Sequence, residues 1–248
     1  MIFNYFIMGG SEMKILFLHL SDAHLEDKTD LRVINVNAII NALKQIGDFD
    51  ECALIFSGDV ARKGDKNAYA NAGKLVGYIA KGISQQYINN KFVHTLIVPG
   101  NHDNLVKNKE RNNLELESYF EKKEEEEKFI EDLKQLSNFF DFAKKNGCFY
   151  NDKVIDVKRL KFGDFVIKVN LINSAPFSLL GKGNRDKGMH FLPLGELQKL
   201  NMDLHQKYTI SIIHHGPEWF CDESKHKLYN LFNETTDLLF VGHEHFSL

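Results

Sequence analysis

Five short clusters of histidine, aspartate and asparagine punctuate the chain: Asp22 with His24; Asp59; Asn101, His102 and Asp103; His214 and His215; His243 and His245. Imidazole nitrogen mixed with carboxylate oxygen suits first-row transition metals such as Mn, Fe or Zn. Cys52, Cys148 and Cys221 lie far apart, so neither a disulfide framework nor a cysteine-based zinc site fits. The donors are too many for one ion. Two ions about 3.5–4 Å apart, sharing a carboxylate, would use most of them. Each cluster taken singly has an ordinary reading. Gly58-Asp59 could be a turn or helix cap, and Gly100-Asn101-His102-Asp103 a loop. Their joint occurrence is what points to a metal centre.

Each cluster also follows an apolar run of strand length: Lys14–Leu20, Ala53–Phe56, His94–Val98, Tyr208–Ile213 and Asp237–Val241. Helical spacing marks Leu31–Ile46, Asp65–Gln86, Pro193–His205 and Ser224–Phe232, while Asp156–Ile172 reads as a hairpin turning near Gly163-Asp164. Strand, loop and helix in succession predict an α/β arrangement. Ligands of such sheets gather outside the carboxyl ends of the strands, which would unite clusters remote in sequence. Residues 1–12 read as a short extension before the first strand. Residues 105–150 read as a charged helical insert or cap, with EKKEEEEK at Glu121–Lys128. No repeat or Ser/Gly linker divides the chain, so 1–248 is expected to be one domain.

At 248 residues, 43% hydrophobic and 26% charged, the chain has the composition of a globular domain with a real core, not of a disordered or fibrous protein. A net charge of −3 lacks the basic excess of a protein that lives on duplex DNA. Apolar runs of about five to eight residues are too short to span a bilayer, and no leader pattern opens the chain. A cytoplasmic, non-membrane protein is expected.

The set Asp22-x-His24, Gly58-Asp59 with Gly64, Gly100-Asn101-His102-Asp103, His214 and Gly242-His243-x-His245 resembles the calcineurin-like metallophosphoesterase family from about Lys14 onward. The resemblance implies a four-layer αββα fold, a β-sandwich flanked by helices, holding two divalent transition metals (Mn, Fe or Zn). It implies Asp22, His24 and His245 at one metal, Asn101, His214 and His243 at the other, and Asp59 bridging them. His102 would stand beside the leaving-group oxygen, oriented by Asp103. His214 is preferred over His215 because its position matches the family pattern. In such a site the cations offset phosphate charge, metal-bound water supplies the nucleophile near neutral pH, and a histidine protonates the leaving group.

The protein phosphatase branch reads Gly-Asp-x-x-Asp-Arg-Gly, whereas Arg62 and Lys63 occupy the Asp and Arg positions here, which disfavours that branch. The opening His19-Leu20-Ser21-Asp22-x-His24 is similar to the phosphodiesterase and nuclease branches. The expected activity is therefore two-metal hydrolysis of a phosphoester, foremost a phosphodiester of a nucleotide-like small substrate. Lys182, Arg185 and Lys187 are candidate phosphate contacts. A nuclease is the alternative, with Phe177, Trp219 and Phe220 as candidate stacking residues. A non-catalytic interaction module is a third reading, weakened because every expected ligand is present. Family members usually continue through a further strand after the last motif, so the chain is expected to be the N-terminal part of a longer protein or an unusually clipped member.

Overall fold

The computed structural model describes residues 2–9, 13–27, 36–89, 91–105, 133–178, 186–192, 197, 200 and 207–244. Two four-stranded sheets form the body. The first runs β1 (Ile2–Gly9), β2 (Lys14–Ser21), β3 (Glu51–Ser57), β4 (His94–Val98) in that order. The second runs β5 (Ile155–Phe162), β6 (Phe165–Ile172), β7 (Tyr208–Ile213), β8 (Leu238–Val241). In each sheet the first pair is antiparallel and the others are parallel.

The inner faces meet in one core. Phe17 of β2 packs against Phe162 of β5 at 6.2 Å and Phe240 of β8 at 6.3 Å between ring centres. Helix α1 (Val36–Ala42) and helix α2 (Lys66–Gln86) pack with the first sheet in that core. Ala68, Ala72, Leu75, Val76, Ile79 and Ile83 give α2 its buried stripe at helical spacing. The Asp65 carboxylate caps this helix by accepting from the amides of Asn67 and Ala68. Helix α3 (Ser137–Lys145) packs beside α2 through Phe139 and Phe142, which adjoin Tyr69. Helix α4 (Asp222–Thr235) covers the second sheet with Leu228, Leu231 and Phe232 over Ile155, Ile172 and Ile213. A sheet covered on both faces explains why β2 is buried everywhere beyond Lys14 and why its sequence is a continuous apolar run.

The strand and hairpin expectations agree with this architecture. Residues 2–9 differ: they are no mere extension but an edge strand, paired antiparallel along the whole of β2 from Ile2↔Ser21 to Gly9↔Lys14. Most of the charged insert (106–132) and most of the Pro193–His205 segment lie outside the described residues.

His19, in the middle of β2, is a core residue. It is 4% exposed, its Nε2 is 2.7 Å from the Ser57 hydroxyl, and its ring lies 5.2 Å from that of Phe240. Burial lowers its pKa to about 4, against a smaller upward pull from Asp22. The unfolded chain therefore takes up this proton first as pH falls. The stability held by neutral His19 is complete above about pH 6.5 and is lost as pH falls towards 4, up to about 3 kcal/mol. Urea unfolding of His19→Gln across this window should show a shallower acid-side loss than wild type. Equal slopes would refute the assignment.

Candidate metal centre

The parallel strands β2, β3, β4, β7 and β8 deliver the five clusters to one end of the sandwich. The loops are laced together by their backbones. The amide of Asp22 donates to the carbonyl of Gly58 (3.1 Å), that of His24 to Asp59 (2.8 Å), and that of Gly242 to His214 (3.1 Å). Asp22, His24, Asp59 and His243 all hold positive φ, at 56°, 46°, 53° and 67°. Glycines make room for the contacts. A β-carbon on Gly58 would lie 2.3 Å from His214 Nδ1, and one on Gly100 would lie 2.2 Å from Asp59 Oδ1.

Donor atoms converge on a small volume. His214 Nε2 is 3.1 Å from Asn101 Oδ1, 3.3 Å from His243 Nδ1 and 3.5 Å from Asp59 Oδ2. His243 Nδ1 is 3.2 Å from Asn101 Oδ1. Four donors around an ion at about 2.1 Å stand about 3.4 Å apart, so this spacing fits a first-row cation. The other nitrogen of His214, Nδ1, sits 2.7 Å from the Ser57 carbonyl. A backbone acceptor there fixes the ring with Nε2 facing inward, as in metal-ligating histidines.

His24 approaches the same Asp59 oxygen: its Nδ1 lies 3.8 Å from Oδ2, and its Nε2 lies 3.9 Å from Asp22 Oδ1. Asp59 thus belongs to two groups that could hold an ion, His24–Asp59–His102 and Asp22–Asp59–His214. A third such group is His214–His215–His243.

These side chains perturb one another's charge. Burial would raise the Asp59 pKa, but the neighbouring histidines, His214 first, outweigh it and bring it to about 2. Burial likewise opposes the charge on His214, yet Asp59 prevails and lifts it to about 9. Burial lowers His243 to about 4, with His214 adding to the effect. Burial also lowers His102, with Asp59 opposing. Around neutral pH His243 is therefore a neutral imidazole, the form that binds metals.

Of the expected site residues, Asp22, His24, Asp59, Asn101, His102, His214 and His243 come together, and His245 lies outside the described residues. His214 holds the central position. His215 is fully buried beside it, with Nδ1 2.9 Å from the Ser174 hydroxyl. The expectation that Asp103 orients His102 is corrected. The Asp103 carboxylate accepts from the amides of Gly100 (2.9 Å) and Ala61 (3.1 Å) and from the Tyr69 hydroxyl (2.8 Å). It ties the Asp59 loop to the Asn101 loop. His102 is positioned otherwise: its amide donates to Asp59 Oδ1 at 2.8 Å and its ring stands edge-on to His24 at 4.6 Å. Sequence reasoning missed Ser57 and Tyr69, and read Trp219 only as a stacking candidate. Trp219 packs 4.1 Å from His243 and donates from Nε1 to Glu244 at 3.0 Å, pinning the last loop.

A family model, calcineurin-like phosphoesterase, matches residues 15–247. The chain belongs to this family. Membership supports phosphoester hydrolysis as its chemistry, and the donor groups of this phosphoesterase agree with the divalent-metal dependence typical of the family. No curated protein matches the chain. Among solved structures it is similar to a putative 5'-nucleotidase from Staphylococcus aureus in complex with alpha-ketoglutarate, at 17% identity and a TM-score of 0.45. That match covers 94% of this chain and 46% of the other, so the phosphoesterase spans about half the length of that structure.

Proposed function

We propose that this chain, as a single domain, hydrolyses phosphodiesters of nucleotide-like small molecules with the help of two divalent transition metals. The observation that carries this reading is Asp59, a buried carboxylate that belongs to two donor groups. Asp22, His24 and His245 would hold one ion, and Asn101, His214 and His243 the other, with Asp59 between them. The ions would offset the substrate's negative charge and supply an activated water. Ser57, through its carbonyl, keeps His214 facing inward. His102, in one donor group with His24 and Asp59, would stand beside the departing oxygen.

The three free cysteines fit a reducing compartment, and we place the protein in the cytoplasm. Among the described residues no helix is long and apolar enough to cross a membrane. Of the three stacking candidates of the nuclease alternative, Trp219 is 3% and Phe220 1% exposed, so neither ring is open to a base, while the Phe177 side chain lies outside what is described. Of the basic candidates, Lys182 and Arg185 lie outside the described residues, while Lys187 rests 5.6 Å over the Trp219 ring.

The test is cleavage of bis-p-nitrophenyl phosphate beside p-nitrophenyl phosphate, with Mn, Fe or Zn returned to chelator-stripped protein. Faster, metal-dependent diester cleavage supports the proposal, and a preference for the monoester overturns its diester part. His102→Ala should keep its metal content and lose about 10²–10⁴-fold in turnover. Loss of metal in that variant would instead make His102 a ligand.

A further inference from the structure

The proposed function gives His214 and His243 to one ion and leaves their neighbour His215 without a task. The three rings form a compact triangle. Their centres are 4.6 Å apart for His214 and His215, 4.5 Å for His215 and His243, and 5.1 Å for His214 and His243. One ring nitrogen from each lies within 4.8 Å of the other two. Donors on a single ion at about 2.1 Å stand at most about 4.2 Å apart, so small ring turns bring all three onto one ion.

The two nitrogens of His215 are placed very differently. Nδ1 lies 2.9 Å from the Ser174 hydroxyl oxygen, which also accepts from the His215 amide at 3.1 Å. That oxygen has a lone pair for each donor, so Nδ1 can carry the ring proton and leave the lone pair on Nε2. Nε2 is buried and has no hydrogen-bond partner. Buried polar atoms without a partner are few in native proteins, and a bound ion is one of the things that satisfies them. The arrangement repeats that of His214, whose Nδ1 is held by the Ser57 carbonyl while its Nε2 meets the other donors.

The ring is held from behind. His190, itself fully buried, packs against His215 at 4.3 Å between ring centres, and Trp219 at 5.6 Å. His190 is fixed in turn by Asp186, whose Oδ2 is 3.0 Å from its Nε2, and by backbone bonds to Trp219 and Cys221. His190 Nδ1 also lacks a hydrogen-bond partner, but among the described residues His190 enters no three-donor group, so it is a packing neighbour and not a donor.

Resting on the metal positions of the proposed function, we infer that His215 binds through Nε2 the same ion as His214 and His243, and that this three-imidazole set makes the position select zinc over manganese. Imidazole suits zinc, whereas carboxylate and carbonyl oxygens suit manganese. The inference thus assigns a further ligand and the kind of ion it favours.

Competition titration of chelator-stripped protein with zinc and manganese tests this without any phosphoester. In His215→Gln, zinc affinity at one site should fall by more than the about 10–100-fold that losing an outer partner of a ligand costs. The preference of that site for zinc over manganese should fall by about tenfold or more, because a nitrogen donor is lost. A smaller loss, or an unchanged preference, overturns the inference. Should the variant fail to fold, wild type decides alone. Nitrogen NMR of protein carrying isotope-labelled histidine, with His215 assigned through its backbone, follows the ring as zinc is added. Nε2 should move to a metal-bound shift while Nδ1 keeps its proton. An Nε2 that stays at its zinc-free shift overturns the inference. Wild type that takes up no zinc overturns it together with the two-metal reading. Zinc held by His215 in a protein that cleaves no diester sustains the inference and fails the phosphodiesterase reading alone.

Discussion

Asp59→Asn is expected to retain at most one of two bound metals and to lose turnover by about 10⁴-fold or more, the scale of removing one member of a group that acts as a unit. The substitution is chemically narrow. Asn keeps an oxygen to accept from the His102 amide, which now binds Asp59 Oδ1 at 2.8 Å, so the Asn101 loop keeps its anchor. What disappears is the charge that lies within 3.8 Å of His24 and 3.5 Å of His214. Metal content after dialysis, read by mass spectrometry beside the diester assay, checks the prediction. Two tightly held ions in the variant would show that Asp59 is not the shared ligand.

Asp103→Ala is expected to cost about 3–5 kcal/mol of stability, because several buried donors lose their acceptor at once. The amides of Val60, Ala61 and Gly100 and the hydroxyl of Tyr69 all point at this carboxylate. The damage should be structural first, with the loops of Asp59 and Asn101 drifting apart and metal affinity falling as a result. Urea unfolding gives the number, and a loss below about 1 kcal/mol would refute the clamp. A pH signature accompanies it. Burial, reinforced by Asp59, lifts the Asp103 pKa to about 7. The folded metal-free protein then holds this proton more firmly than the unfolded chain, so stability falls as pH rises from about 4 to 7. That slope opposes the one from His19 over most of the same range. Relative to wild type, the two single variants should therefore tilt in opposite directions there.

Of the strands that position the centre, β2, β3, β4 and β7 were legible because they are buried on both faces, leaving an unbroken apolar run that ends at a polar cluster. The first strand was not. Ile2–Gly9 is apolar and leads through Gly9-Gly10 towards the next run, which is a weak hairpin signal. The donor types were legible too, since few other roles call for so many histidines and carboxylates at strand ends. The wiring was not. His214 and His215 are neighbours, and the one facing inward is fixed by the Ser57 carbonyl, 157 residues away in sequence. Asp103 adjoins His102 in the chain but bonds to a different loop and to Tyr69 on α2. Neither link leaves a local pattern in the sequence.

The left-handed backbones of Asp22, His24, Asp59 and His243 bear on how variants of this protein would fare under selection. Each holds a side chain where glycine would rest more easily, at a cost of about 1–2 kcal/mol per residue. A library screened for heat resistance alone would be rewarded for emptying these four positions, and its winners would be sturdier and inert. Any search for a hardier catalyst on this scaffold therefore has to score metal retention or turnover in the same round as survival.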